Sequence, residues 1–224
     1  MKEMHRLMVT SEAYKRASDA PTALAADNAK ADPANALLWS FRLQRLAAEP
    51  IWDSIFAAAG QLDLVVGGRS FDVGAPAGGR RGGGGGARNA SPAAEPGATR
   101  RAAYMIRGYS TNRDVVPNFL QSFDVEDGRA PCPIRTQTVT APQALFAMNG
   151  DEIERASAQV AERLKRDAKG DLRAAVDLAY ALTVARPPSD AEAARALEYL
   201  DGSPDRLKGL AWLLFNLDEF IYVR

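Results

Sequence analysis

The chain has 224 residues, 46% hydrophobic and 25% charged, which gives room for one or two compact units and a substantial core. Lysine plus arginine and aspartate plus glutamate both number 28, so the formal net charge is zero and no overall field favours nucleic acid or an anionic membrane as partner. One cysteine, Cys132, and one histidine, His5, exclude an intrachain disulfide, leave too few ligands for a Cys/His zinc site and provide no Cys-x-x-Cys-His run for haem, so no metal or cofactor is expected.

The opening MKEMHRLMVTSEAYKR alternates charged with apolar residues and lacks the apolar run of a signal peptide; any export signal is expected in a longer parent. Residues 2–17 read as an amphipathic helix with Leu7, Met8, Ser11 and Tyr14 on one face. A polar connection with two prolines follows over 18–33. A longer helical pattern covers 35–59, with Leu38, Phe41, Leu46, Ile51, Ile55 and Phe56 inward, a kink or restart at Pro50, and a stop at Gly60. Residues 62–66 suit a short strand.

From 67 to 100 the composition turns to Gly, Ala, Pro and Arg, including five consecutive glycines at 82–86. Such a stretch cannot bury enough apolar surface to offset its ordering entropy and reads as a disordered insertion. Its ends either float on the order of 30 Å apart or are pinned by two strands, 62–66 and 102–107, at modest loop-closure cost. A short helical piece at 116–123 and an acidic loop at 124–128 come next.

Helix signals then become dense. Thr140-Ala141-Pro142-Gln143 has capping-box spacing, and Ile153, Ala156, Val160 and Leu164 make a helical stripe. Asp171 caps a helix carrying Leu172, Ala175, Val176, Ala179 and Leu182, and Ser189 with Glu192 forms a second capping box. Ser203-Pro204 opens a last helix that is apolar nearly all round over 209–217, far short of the roughly 20 residues of a membrane span and suited to the centre of a bundle. The expected fold is mainly α, a helical bundle with a short two-stranded β element and a long disordered glycine-rich insertion. The expected segments are 1–66, the insertion 67–100, and an irregular region plus bundle at 101–224, with 1–66 and 101–224 packed as one unit.

Four phrases carry a resemblance: MHRLMVTSEAYKRAS, NALLWSFRLQRLAAEPIWDSIFAAAGQLDLVVGG, FDVEDGRAPCPIRTQTVTAPQALFAMNG and FNLDEFIYVR. Together they resemble the planctomycete family called domain of unknown function 1553. Two positions depart from its pattern: Trp52 stands where the family has arginine, and Pro50 interrupts a helix that is usually unbroken. The chain starts where the family's domain is already under way, so the resemblance implies a C-terminal part. It also implies an exported parent (periplasmic, cell-envelope or extracellular) with a cytochrome-c-like domain and a second uncharacterised domain upstream, which become the expected partners. It transfers no catalytic residue.

Several residues could carry chemistry. His5 has the ring suited to general base work, but beside Arg6 on an amphipathic helix a structural role is favoured. Cys132 between Pro131 and Pro133 is a weaker nucleophile candidate than a small buried thiol. Arg45, Glu49 and Asp53 are spaced to form an intrahelical ion-pair ladder, or paired carboxylates if they face a pocket. The arginine–glycine tract at 79–88 has no interleaved aromatic ring and reads as a solvated linker. The acidic loop at 124–128 lacks EF-hand spacing; a tight turn is favoured, with a weak noncanonical calcium site as the alternative. Asp124, Arg135, Gln143 and Asn149 lie within the third family-like phrase, as a hydrogen-bonded scaffold or as a ligand site for a polar molecule such as a glycan. The scaffold is favoured because capping already accounts for Gln143, and Asp124 with Arg135 is expected to form one charge-assisted unit.

Two functional classes stay open. A non-catalytic binding or scaffolding module of an exported protein is the expected one. The alternative is a hydrolase or redox-linked domain acting on a polar polymer such as a glycan.

Overall fold

The computed structural model describes residues 1–18, 22–68, 70–71, 99–106, 118–125, 135 and 138–223, with Thr22, Ala23 and Asn118 described by backbone alone. The chain divides into two compact units, Met1–Leu46 with Ile221–Arg224, and Ala47–Phe220.

The first unit holds α1 (Lys2–Val9), α2 (Thr22–Ala31), β1 (Gln44–Arg45) and β2 (Tyr222–Val223). α1 is shorter than the expected 2–17. Ser11 turns back onto Met8 O through both its N–H at 3.2 Å and its hydroxyl at 2.7 Å, occupying the carbonyl that a continuing helix would use four residues on. α1 buries no residue, and Met4, Leu7 and Met8 are exposed. The expected polar connection contains α2, whose alanine-rich TALAADNAKA favours helix without needing a buried face.

The long helix expected from residue 35 does not form before Ala48. Asn35 and Leu38 take left-handed φ values of 52° and 54°, where a helix cannot continue. Side chains replace the helical ladder: Ala36 N and Leu37 N donate to the Asp32 carboxylate at 2.9 and 2.8 Å, and Trp39 Nε1 donates to Asp32 O at 3.0 Å. The N–H of Leu37 first, then that of Ala36, holds the Asp32 carboxyl below the usual range. β1 and β2 pair antiparallel, Gln44 opposite Val223 and Arg45 opposite Tyr222. The two-stranded element thus exists, built from partners far apart in sequence rather than from the flanks of the glycine-rich segment.

The second unit contains α3 (Ala48–Ala58), α4 (Asn118–Ser122), α5 (Ala141–Asn149), α6 (Asp151–Asp167), α7 (Leu172–Thr183), α8 (Asp190–Leu200), α9 (Leu207–Phe215) and α10 (Asp218–Ile221, its last residue in the first unit). Pro50 sits in the first turn of α3, where its missing N–H removes no helical bond. Ile51, Trp52, Ile55 and Phe56 face inward. Gly60 ends the helical run at φ +70°, and Arg163 of α6 donates to Ala57 O and Ala58 O at 3.1 and 2.9 Å, satisfying carbonyls that α3 leaves open.

α6 packs most extensively on α9, with α7 against both and α8 against α7. The stripe Ile153, Ala156, Val160 and Leu164 is buried, as its periodicity requires. Asp171 caps α7 by accepting from Arg173 N and Ala174 N, and the Ser189–Glu192 box opens α8. α9 follows a 3₁₀ turn at Pro204–Arg206. It buries Leu207, Leu210, Ala211, Leu214 and Phe215 but leaves Trp212 and Leu213 exposed, so it is not enclosed on all sides as expected.

Trp52, at 1% exposure, donates through Nε1 to Arg100 O at 3.2 Å and centres an aromatic cluster with Phe56, Phe71 and Phe119. Phe123 and Phe146 extend it. The residue departing from the family pattern is therefore a core element here.

Of the segment 67–100, Arg69 and residues 72–98 lie outside the described residues, and so does the disorder expected of them. Its flanks are drawn together: Asp63 N donates to Thr99 O at 3.0 Å, Phe71 N to Tyr104 O at 3.1 Å, and Ile106 N to Phe71 O at 2.8 Å. These are isolated parallel bridges, Asp63 to Arg100 and Phe71 to Met105, beside a 3₁₀ turn at Ala102–Tyr104 rather than two strands. Among the described residues no helix is long and apolar enough to cross a membrane.

Candidate functional site

Asp124 follows α4 with a left-handed φ of 62°, a conformation that aspartate tolerates better than most residues. Its carboxylate accepts from Thr138 N at 2.9 Å, from the Thr138 hydroxyl, and from Gln143 Nε2 at 3.5 Å. Thr140 N donates to Gln143 Oε1 at 3.4 Å, so Gln143 closes the capping box of α5 while reaching Asp124. One amide thus ties the turn after α4 to the start of α5.

Arg135 goes elsewhere. Its Nη1 and Nη2 donate to Glu49 Oε2 and Oε1 at 2.8 and 3.0 Å, a two-pronged contact with the first turn of α3. Among the described residues Asp124 and Arg135 form no ion pair; the expected single charged unit is two, one on α3 and one on α5. Asn149, at the end of α5, is exposed and, among the described residues, joins neither.

The ladder expected of Arg45, Glu49 and Asp53 is not built, because Arg45 lies in β1, before α3 begins. Asp53 instead accepts from Ala102 N at 2.7 Å and from Arg101 Nε at 3.1 Å, holding the 3₁₀ turn against α3. His5 is exposed on α1. Cys132, the arginine–glycine tract at 79–88 and residues 126–128 of the acidic loop lie outside the described residues. Among the described residues no group of three or more His, Cys, Asp or Glu is placed to hold a metal ion.

Two arrangements escaped the sequence reading. In the first, Arg186 bridges two carboxylates: Nη1 and Nη2 donate to Glu192 at 2.8 and 2.7 Å, and Nε and Nη2 to Glu219 at 2.6 and 3.1 Å. The Arg186 guanidinium, followed by the Ser189 N–H, draws the Glu192 carboxyl from its ordinary 4.5 to about 2. This cluster joins the start of α8 to α10 and carries no spacing signature, since Glu219 is distant in sequence.

The second is a cleft of about 470 Å³ lined by Met148, Asn149, Gly150, Glu154, Lys208, Gly209 and Trp212. Lys208 Nζ donates to Glu154 Oε1 at 2.8 Å, and this bond holds the Glu154 carboxyl below its usual range. Trp212 Nε1 donates to Met148 O at 3.2 Å, and Asn216 Nδ2 to Ala147 O at 3.1 Å, so side chains of α9 and of the residue that ends it satisfy the last carbonyls of α5. A signal for this face was present: Lys208 and Trp212 are four residues apart, and a lysine on one stripe of an apolar helix marks that stripe as open to water.

No solved structure matches the chain, and no curated protein does. One family model matches residues 1–200, under the description protein of unknown function, DUF1553. With nearly the whole chain matched, this protein belongs to the DUF1553 family.

Proposed function

We propose that the chain is a non-catalytic binding or scaffolding module of a larger exported protein. One observation carries this reading: the carboxylates that the sequence offers for acid–base work are engaged in holding irregular segments to helices. Glu49 takes Arg135, Asp53 takes the 101–102 backbone and side chain, and Asp124 takes Thr138 and Gln143. Each of these groups accepts at least two hydrogen bonds at its post, so proton transfer to it would compete with the bonds that hold its segment in place. The exported setting, with upstream domains as partners, rests on the sequence resemblance. Export is tested by locating the parent protein in cell fractions, where a cytoplasmic parent would overturn that part.

Catalysis is tested by offering the full chain polysaccharides and chromogenic esters and following new reducing ends and released phenol. Saturable binding without turnover is expected. Turnover that disappears in a folded Glu49→Gln, Asp53→Asn or Asp124→Asn variant would replace the module by a hydrolase.

A further inference from the structure

The cleft between the end of α5, the start of α6 and the exposed face of α9 brings together an exposed indole, an exposed amide and a charged pair. Trp212 is 38% exposed, unusual for an indole in the most apolar helix of a bundle, and its bond to Met148 O fixes the ring at the cleft wall. A large exposed aromatic held rigid is costly to leave in water and is the kind of group that supplies contact area at low entropic cost on binding.

The charges at the rim cancel. Lys208 and Glu154 are paired at 2.8 Å, so neither cations nor anions are drawn in by a net field. The Asn149 amide is exposed at the same rim and, among the described residues, its side chain makes no hydrogen bond, leaving both a donor and an acceptor available. Two glycines, Gly150 and Gly209, are among the lining residues. A Cβ at Gly150 would lie 2.6 Å from Phe146 O, and one at Gly209 would overlap the Tyr199 hydroxyl. Glycine inside a helix costs roughly 1 kcal/mol relative to alanine; at Gly209 it lets Tyr199 of α8 close on α9.

A ligand fitted to this set is neutral, has an apolar face to lay against indole, and carries hydroxyls for an amide, a carboxylate and an ammonium. A pyranose ring has all three properties: its axial C–H bonds make one face apolar while its equatorial hydroxyls point to the rim. A purely apolar ligand would strip water from the Lys208–Glu154 pair without replacing it. The cleft volume of about 470 Å³ lies in the range of small-molecule sites. We infer that this cleft binds a neutral pyranose glycan, with Trp212 as stacking platform and Asn149, Glu154 and Lys208 as hydroxyl partners; the inference rests on the binding-module reading and names its ligand class.

The test is calorimetric titration of the full chain with short neutral gluco-, manno-, xylo- and N-acetylglucosamine oligosaccharides, with tryptophan fluorescence followed in parallel. At least one should bind with Kd below about 1 mM and change the fluorescence. Trp212→Ala should weaken it at least about tenfold. Asn149→Ala, at an exposed position whose side chain makes no hydrogen bond among the described residues, should weaken it severalfold while keeping the wild-type thermal midpoint, so the test stands even if Trp212→Ala misfolds. Absence of binding across the panel would overturn the inference. So would binding that neither variant weakens, although the binding-module reading would then survive with its site elsewhere. New reducing ends from a bound oligosaccharide would overturn the module reading instead, whatever the cleft does.

Discussion

Replacing Arg186 with glutamine removes the cation that bridges Glu192 and Glu219. A carboxyl drawn from 4.5 to about 2 gains on the order of 3 kcal/mol from its surroundings. Part of that gain comes from Ser189, whose N–H donates to Glu192 at 2.7 Å and would remain. Solvent reduces the rest, since the Arg186 side chain is 35% exposed and that of Glu192 26%. Arg186→Gln is therefore expected to lower stability by about 2 kcal/mol at pH 7, a fall in Tm of roughly 4–8 °C for a chain of this size.

The pH dependence gives the sharper check. Because the folded pKa of Glu192 is depressed, its contribution is fully present above the ordinary 4.5 and is lost as pH falls from there towards about 2. Urea unfolding of wild type and variant at pH 7 and pH 3 should show the stability gap shrinking by about half or more at the lower pH. Arg186→Lys, a point charge unable to fork onto two carboxylates, should fall between them. An unchanged midpoint at pH 7, or a gap that does not narrow at pH 3, would refute the account of this cluster.

Asp124→Ala is expected to cost about 2–3 kcal/mol, because Thr138 and Gln143 lose a charged acceptor and alanine tolerates the left-handed turn less well; urea titration reads it, and Asp124→Asn should cost less. Glu49→Gln and Arg135→Gln should each cost about 1 kcal/mol, with most of that shared in the double variant because the two side chains bond each other. Combining Arg135→Gln with Asp124→Asn should instead give nearly additive losses; a coupling above about 1 kcal/mol would restore the single charged unit expected from sequence.

Where the controlling interactions are local, the sequence determined the outcome by itself. The capping boxes at Thr140 and Ser189, the Asp171 cap, the buried stripe of α6 and the stop at Gly60 each depend on residues within a few positions of one another, so spacing was enough to read them. The family was legible for the same reason, as four ordered local phrases. The failures came where a local pattern competed with bonds to other segments. Residues 35–47 have a helical apolar pattern, yet Asp32 and Asn35 capture the backbone N–H and C=O groups that a helix would have used.

Partners distant in the chain were decided only by the tertiary structure. β1 meets β2 across most of the sequence, Arg135 meets Glu49 rather than Asp124, and Asn149 joins Trp212 and Lys208 rather than the other three residues of its phrase. Spacing along a chain reports which residues share a helix face or a turn; which faces then pack together depends on the closure of the whole bundle, a property no single segment carries.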